Sequence, residues 1–326
     1  MNSFLSFLHS QFFVTPPYPR TTWEGKTVIV TGANTGLGLE AARHFVRLEA
    51  DKVILAVRSL DKGEKAKQSI EDSTARTNVV EVWPLDLGSY ESVKQFSKRA
   101  TQSLERLDAV VENAAIATPK FRLLEGNEMT ITVNVISTFL LALLLLPKLK
   151  DTAQHHRTTP HLSIVCSEVI FHASFPERKS PSIFDKLNDR ASSRMLDRYN
   201  VSKLMVALVC RQICSLLGDG YPVIINFLNP GLCHSELTRD VAIPAYFVKL
   251  FLARTSEVGS RTLVHAVSAG PRSHGQYLSD CRVTMPPSFV LSADGAETQK
   301  KAWSELSGRL EAIQSGILEN LRNVAK

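Results

Sequence analysis

The sequence predicts an α/β fold: a single doubly wound parallel sheet of about seven strands with helices on both faces. Three observations predict it. Short β-branched runs alternate with amphipathic helical segments along most of the chain. The first such run breaks into a glycine-rich turn that opens a helix. The polar residues that stand out (Gly32, Arg58, Asp86, Asn113, Ser167 and Asn229) lie at the carboxyl ends of the runs, where sheets of this kind bind ligands. With 326 residues, 44% hydrophobic and 21% charged, the chain can bury a large core as a single unit.

The elements follow in order. Residues 1–24 are an apolar N-terminal extension, carrying Phe4, Leu5, Phe7, Leu8, Phe12 and Phe13, and a proline-rich linker, Thr15-Pro-Pro-Tyr-Pro19. Without a basic n-region or a small-residue cleavage site, this is not a secretory signal. It reads either as a short helix docked on the body or as a peripheral membrane contact. Residues 25–285 are expected to form one domain that carries the candidate ligand-binding residues. Its first strand, Thr27 to Thr31, runs into Gly32-Ala-Asn34-Thr35-Gly36-Leu37-Gly38, a turn that presents backbone N–H groups and a helix start to a phosphate. Further strands are expected at 52–57, 79–85, 108–111, 162–165, 223–228 and 275–278. Helices are expected at 60–72, from a Ser89 cap to about Leu104, along 126–150, around Tyr199 to Lys203 and at 257–268. Residues 286–326 form an amphipathic helical extension, since Trp303, Leu306, Leu310, Ile313, Ile317 and Leu321 recur every three or four positions.

Bulk properties exclude several functions. The net charge of +6 comes from scattered basic residues without interleaved aromatics, which argues against nucleic-acid binding. Five irregularly spaced cysteines make neither a disulfide framework nor a metal site, and the chain reads as reduced and cytoplasmic. The longest apolar run, 139–146, falls well short of the roughly 20 residues that span a bilayer. A monomer or homodimer is expected, with peripheral membrane association as the alternative to a fully soluble life.

The chemistry centres on Tyr199-Asn-Val-Ser-Lys203. Four-residue spacing puts a phenol and an ammonium on one helical face, where the cation lowers the phenol's pKa toward a useful acid–base range. Ser167, at a strand tip, can hold a carbonyl oxygen beside Tyr199. Asn134, polar within an apolar helix, either satisfies backbone locally or holds a water in a proton relay to Lys203. At the end of the second strand stand Arg58, Ser59 and Lys62. An acid there would accept from the ribose of NAD, whereas a guanidinium clamps the 2′-phosphate of NADP(H).

Together, Thr31-Gly32-x-x-x-Gly36-x-Gly38, Asp86-Leu87, Asn113-Ala114, Asn134, Ser167, Tyr199-x-x-x-Lys203 and Asn229-Pro230-Gly231 resemble the short-chain dehydrogenase/reductase family and its Rossmann-type fold. The glycine turn and Ala-Val-Arg-Ser are similar to the retinol-dehydrogenase and WW-domain-oxidoreductase-like branch. Gln11-Phe-Phe-Val-Thr-Pro-Pro and Val165-Cys-Ser-Glu-Val resemble fungal members, many of which serve secondary-metabolite pathways. The resemblance implies Tyr199 as general acid/base and Ser167 as the carbonyl orienter. Lys203 would also hold the nicotinamide ribose, and Asn134 would complete a proton relay. It further implies that Asp86 contacts adenine, that Asn113 secures the central strand, and that the backbone after Pro230 and Gly231 supports the nicotinamide. One departure is Glu112-Asn-Ala-Ala115, where the family usually has Asn-Asn-Ala-Gly.

The expected activity is NADP(H)-dependent reduction of a ketone, or oxidation of a secondary alcohol, on a bulky lipophilic small molecule. The substrate-covering segment is expected at 243–252, with Tyr246 and Phe247 at the substrate. The alternatives are a retinoid- or sterol-type alcohol dehydrogenase, a non-redox isomerase or cyclase, and an NADP-binding regulatory protein.

Overall fold

Continuous β-branched runs become strands in this chain because helices cover both of their faces. The computed structural model describes residues 3–218, 220–234 and 253–322. The strands are β1 (Thr27–Thr31), β2 (Lys52–Val57), β3 (Val80–Pro84), β4 (Ala109–Glu112), the two-residue β5 (Leu123–Leu124) and β6 (Asn127–Glu128), β7 (His161–Val165), β8 (Ile224–Asn229), β9 (Tyr277–Ser279) and β10 (Arg282–Thr284). Eight of them form one sheet in the order β10-β9-β8-β7-β4-β1-β2-β3. It is parallel except for β10, which pairs antiparallel with β9. The chain therefore reverses its winding between β1 and β4, opening a crevice at the carboxyl ends of these two central strands.

The strand beyond the expected seven is β10. Its three residues lie on the sheet edge, two of them exposed, so no buried alternation marks them in the sequence.

The helices of the first part of the chain are α1 (Ser3–Phe13), α2 (Gly36–Arg47), α3 (Leu60–Thr74), α4 (Tyr90–Ser103), the single turn α5 (Met129–Ile131), α6 (Thr138–His156), α7 (Ile183–Asn188) and α8 (Met195–Leu217). Two more span Ser256–Ala266 and Ala293–Ile313. One face of the sheet packs Val28, Val30, Val53 and Leu55 against Phe45 of α2, Ile70 of α3 and Leu263 of the helix Ser256–Ala266. The opposite face packs Ile29, Ile54, Val110 and Ile164 against α4, α6 and α8. Ala302, Leu306 and Leu310 of the helix Ala293–Ile313 join that same core. The amphipathic C-terminal pattern thus marks a helix built into the body. The helix stops at Ile313, Gly316 adopts φ +78°, and a 3-10 segment, Ile317–Leu321, carries the remaining apolar positions.

The helix expected along 126–150 begins later. Residues 123–128 form a small antiparallel hairpin, and the Glu128 carboxylate accepts from the N–H groups of Thr130 (3.0 Å) and Ile131 (3.2 Å), capping the helix start. Residues Thr132–Ser137 then make a π turn before α6. Met129–His156 and Met195–Leu217 are long and apolar enough to cross a membrane, yet 89% and 72% of their apolar windows are buried inside the protein. They are apolar all round because they lie between the sheet and other helices.

The N-terminal segment is a helix docked on the body. Gln11 is buried, and its amide donates to the Leu232 carbonyl (2.7 Å) and accepts from the Leu232 N–H (3.2 Å). Phe12 and Phe13 of the same helix are exposed. None of the five cysteines forms a disulfide.

Candidate active site

The glycine turn is shaped by close approach at Gly38 and by backbone conformation at Gly32 and Gly36. A Cβ on Gly38 would lie 2.6 Å from the Gly32 carbonyl and 2.7 Å from Asn113 Nδ2. Gly32 and Gly36 adopt φ +65° and +59°, where a side chain is strained. Thr35 precedes α2 without a side-chain cap, which leaves the first helical N–H groups available to an anion. Asn113 ties the neighbouring strand end to this turn: its side chain donates to the Thr31 carbonyl (3.0 Å), while the N–H groups of Asn113 and Ala114 both donate to Thr31 Oγ1 (2.9 Å). The securing role that the resemblance implies for Asn113 thus has a visible basis.

Arg58, at the end of β2, is exposed and makes no hydrogen bond or ion pair among the described residues. It is available to a phosphate at the mouth of the turn. Lys62 is also exposed, and Ser59 caps α3 by accepting from the Lys62 N–H (3.5 Å). The hydroxyl of Ser59 thus already serves the helix. Asp86 is half-buried and accepts from the Gly88 N–H (2.8 Å), holding the turn after β3 beside the buried Leu87. These residues fit a dinucleotide: open amides and an uncapped helix start for a pyrophosphate, and a free guanidinium one strand away.

The acid–base residues meet at the ends of β7 and α8. Ser167 follows β7, accepts from the Val169 N–H (3.4 Å), and lies near enough to the Tyr199 hydroxyl to act on its titration. Lys203 is buried, and its Nζ donates to the Val165 carbonyl (2.7 Å), lying 5.9 Å from the Tyr199 ring centroid. Burial pushes the Tyr199 phenol above its ordinary value, and Ser167 offsets part of the rise. Burial thus outweighs the lowering expected from Lys203, whose Nζ is held by the Val165 carbonyl. Burial also lowers Lys203 itself, to about 8, with Glu112 opposing the fall.

Asn134 lies on the π turn, wholly engaged by protein. Its Oδ1 accepts from the Ile116 N–H (2.9 Å), and its Nδ2 donates to the Ile116 carbonyl (2.8 Å) and to Ser202 Oγ (3.0 Å). Ser202 in turn donates to the Tyr199 carbonyl (2.7 Å). The side chain therefore braces the segment after β4 against α8, and the backbone it satisfies is that of Ile116, 18 residues away, rather than its own helix.

After β8, Pro230 and Gly231 turn back over the strand ends. Gly231 adopts φ +80°, and a Cβ there would lie 2.8 Å from Arg254 Nη1 and 3.2 Å from Gln11 Oε1. Arg254 is buried, pairs with Asp280 (2.7 Å) and donates to the carbonyls of Ser10 (2.7 Å) and Val14 (2.9 Å). Sequence patterns did not single out Arg254, and the Ser10 and Val14 it holds, like the Leu232 that Gln11 holds, lie more than 200 residues away. Tyr246, Phe247 and the segment 243–252 lie outside the described residues.

A nucleotide cradle at a sheet's switch point, with Ser, Tyr and Lys converging beside it, defines a dinucleotide-dependent oxidoreductase. The chain belongs to the short-chain dehydrogenase/reductase family. The sequence model of that family, described as short chain dehydrogenase, matches residues 26–157. The chain is 50% identical to the short chain dehydrogenase/reductase dmxR8 of Cryptosporiopsis sp. (strain 8999), over 97% of this chain and 100% of that protein. It is 42% identical to the short-chain dehydrogenase anuD of Penicillium roqueforti (strain FM164), over 97% of this chain and 85% of that protein. The names of these relatives support the family and do not extend to the retinol-dehydrogenase branch. Among solved structures, a short chain dehydrogenase of Escherichia coli CFT073 complexed with NADPH superposes with a TM-score of 0.60 at 21% identity, covering 80% of this chain and 99% of that one. One from Shigella flexneri 2a complexed with NADP gives 0.59 at 20%, covering 81% and 100%. Both share the fold.

Proposed function

We propose that this protein is an NADP(H)-dependent ketoreductase acting on a bulky apolar carbonyl compound, in the secondary metabolism its resemblance to fungal members suggests. The observation that carries the reading is the convergence of Ser167, Tyr199 and Lys203 at the strand ends, with burial holding the Tyr199 phenol protonated. A phenol that keeps its proton at neutral pH is suited to give it to an oxygen gaining negative charge. NADP(H), held by the 32–38 turn, Arg58 and Lys203, supplies the hydride when bound. The Ser167 hydroxyl orients the carbonyl and stabilises the developing oxyanion, and Tyr199 donates its proton to that oxygen. Lys203, fixed in the dry interior, holds a positive charge near the phenol and limits the cost of the phenolate left behind. Solved relatives of this fold carry NADP or NADPH, which agrees with the free guanidinium of Arg58.

The test follows NADPH oxidation spectrophotometrically across a panel of ketones, with mass analysis of the products. Tyr199→Phe is expected to abolish turnover while NADPH still binds. Retained turnover in that variant would refute the assignment of Tyr199. An isomerised or cyclised product without NADPH consumption would refute the redox reading.

A further inference from the structure

β4 ends in a residue that the mechanism above does not use. Along this strand Ala109 and Val111 face the α2 side of the sheet, and Val110 and Glu112 face the α6 and α8 side. Glu112 is 4% exposed, and neither carboxyl oxygen has a hydrogen-bond partner among the described residues. Glutamate is among the residues least often found fully buried, and an unpaired carboxylate in such surroundings is strongly disfavoured. Its register partner across the sheet is Ile164. The next residue, Val165, gives its carbonyl to the Lys203 ammonium at 2.7 Å. That ammonium is 3% exposed and has three N–H bonds to place, of which protein among the described residues accepts one.

We propose that Glu112 is a positioning residue acting through Lys203: the sealed carboxyl interacts across the dry interior with the ammonium on the same side of the sheet, and this interaction sets the pH range over which Ser167, Tyr199 and Lys203 work together. The inference rests on the ketoreductase reading and assigns a task to the position where this chain departs from the family's usual asparagine.

The titratable groups that bear on the pair are few. From α8 come Lys203 and, beyond it, Tyr199; from the end of β7 comes Cys166. Burial pushes the Cys166 thiol up to about 12, so it carries no charge near neutral pH. Burial also pushes the Glu112 carboxyl well above its ordinary range, with the Lys203 charge opposing the rise. The carboxylate in turn opposes the loss of the lysine proton. With the glutamate present, the pair can lose one proton and still keep an ammonium beside a carboxylate. With an amide in its place, the first proton lost is the lysine's own. During reduction Tyr199 gives its proton to the alkoxide and recovers one from solvent, so the protons balance over a turnover; Glu112 acts on the charge of Lys203 and carries none of these protons.

The test compares wild type, Glu112→Gln, Glu112→Asn and Glu112→Asp by the pH dependence of NADPH-driven ketone reduction and, separately, of NADPH binding followed by fluorescence. In Glu112→Gln the alkaline limb is expected to move to lower pH by about one unit, the size of shift a nearby opposite charge produces. Above that limb the rate falls about tenfold, as a one-unit shift implies. Glu112→Asn is expected to behave alike and serves if the glutamine variant does not fold. Glu112→Asp is expected to restore at least part of the wild-type limb, which a merely space-filling role would not do. Limbs that superpose in wild type and the amide variants would overturn the proposal. If wild type binds NADPH but reduces no carbonyl compound, the ketoreductase reading fails instead. The same shift in the binding profile then supports the Glu112–Lys203 coupling, and superposed binding profiles refute it.

Discussion

Replacing Gly38 by alanine tests the cradle where it is tightest. The added methyl would stand 2.6 Å from the Gly32 carbonyl oxygen, 2.7 Å from Asn113 Nδ2 and 3.0 Å from Ala33 Cα. Two of these atoms are backbone, which cannot rotate away, and Asn113 Nδ2 is held by the Thr31 carbonyl. The methyl is accommodated only if α2 moves off the turn or the bond between the strand ends breaks. Overpacking of this kind costs roughly 1–3 kcal/mol, and the backbone contacts place this case near the upper end, about 3 kcal/mol. In a chain of this size that lowers the melting temperature by about 5 °C or more. Gly36→Ala is the control. It meets nothing within 4 Å, but it forces an L residue to φ +59°, a conformation that costs roughly 1 kcal/mol and about 2 °C. Thermal unfolding followed by circular dichroism ranks the two, and an NADPH titration reads the cradle. Gly38→Ala is expected to be the less stable and to bind NADPH more weakly. A Gly38→Ala protein as stable as Gly36→Ala would refute the close approach.

Further outcomes follow from the same geometry. Arg58→Asp is expected to raise the KM for NADPH by roughly tenfold or more, the worth of a charge-assisted bond, with little effect on NADH; equal effects on both would reject the 2′-phosphate clamp. Arg254→Met breaks the buried pair with Asp280 and the bonds to Ser10 and Val14. It is expected to cost about 3 kcal/mol and to raise the KM for NADPH by loosening the Gly231 turn, so an unchanged melting temperature would count against that clamp. Lys203, lowered from the ordinary 10.5 to about 8, gives a linkage test. Between these values the unfolded chain binds more protons than the fold, so the lysine's burial penalty is full below pH 8 and fades as pH rises to 10.5. Lys203→Met is therefore expected to lose turnover yet gain up to about 3 kcal/mol of stability at pH 7. That gain should shrink above pH 8 in urea unfolding; a gain independent of pH would refute the burial penalty.

Much of this molecule was legible in sequence because its signals are local. The first two strands, the Ser89-capped helix and the glycine turn follow from runs, caps and spacing within a dozen residues. Tyr199 and Lys203 were recognisable because one helical turn brings them together whatever the surroundings. What only the tertiary structure decided depends on contacts between distant segments. An edge strand of three residues has too little burial to leave a pattern. Asn134 found its partners in Ile116 and Ser202, contacts that its place in an apolar helix does not specify. Gln11 closes a loop 221 residues away, and no periodicity records such a contact. The direction in which the phenol of Tyr199 shifts was decided by burial, which a four-residue spacing does not contain. Glu112 is the sharpest case. In the sequence it is one substitution in a familiar tetrapeptide, and in the fold it is a carboxyl sealed from water with no hydrogen-bond partner among the described residues. The difference arises because the free energy of a charge is set by the solvent and the partners the fold leaves it.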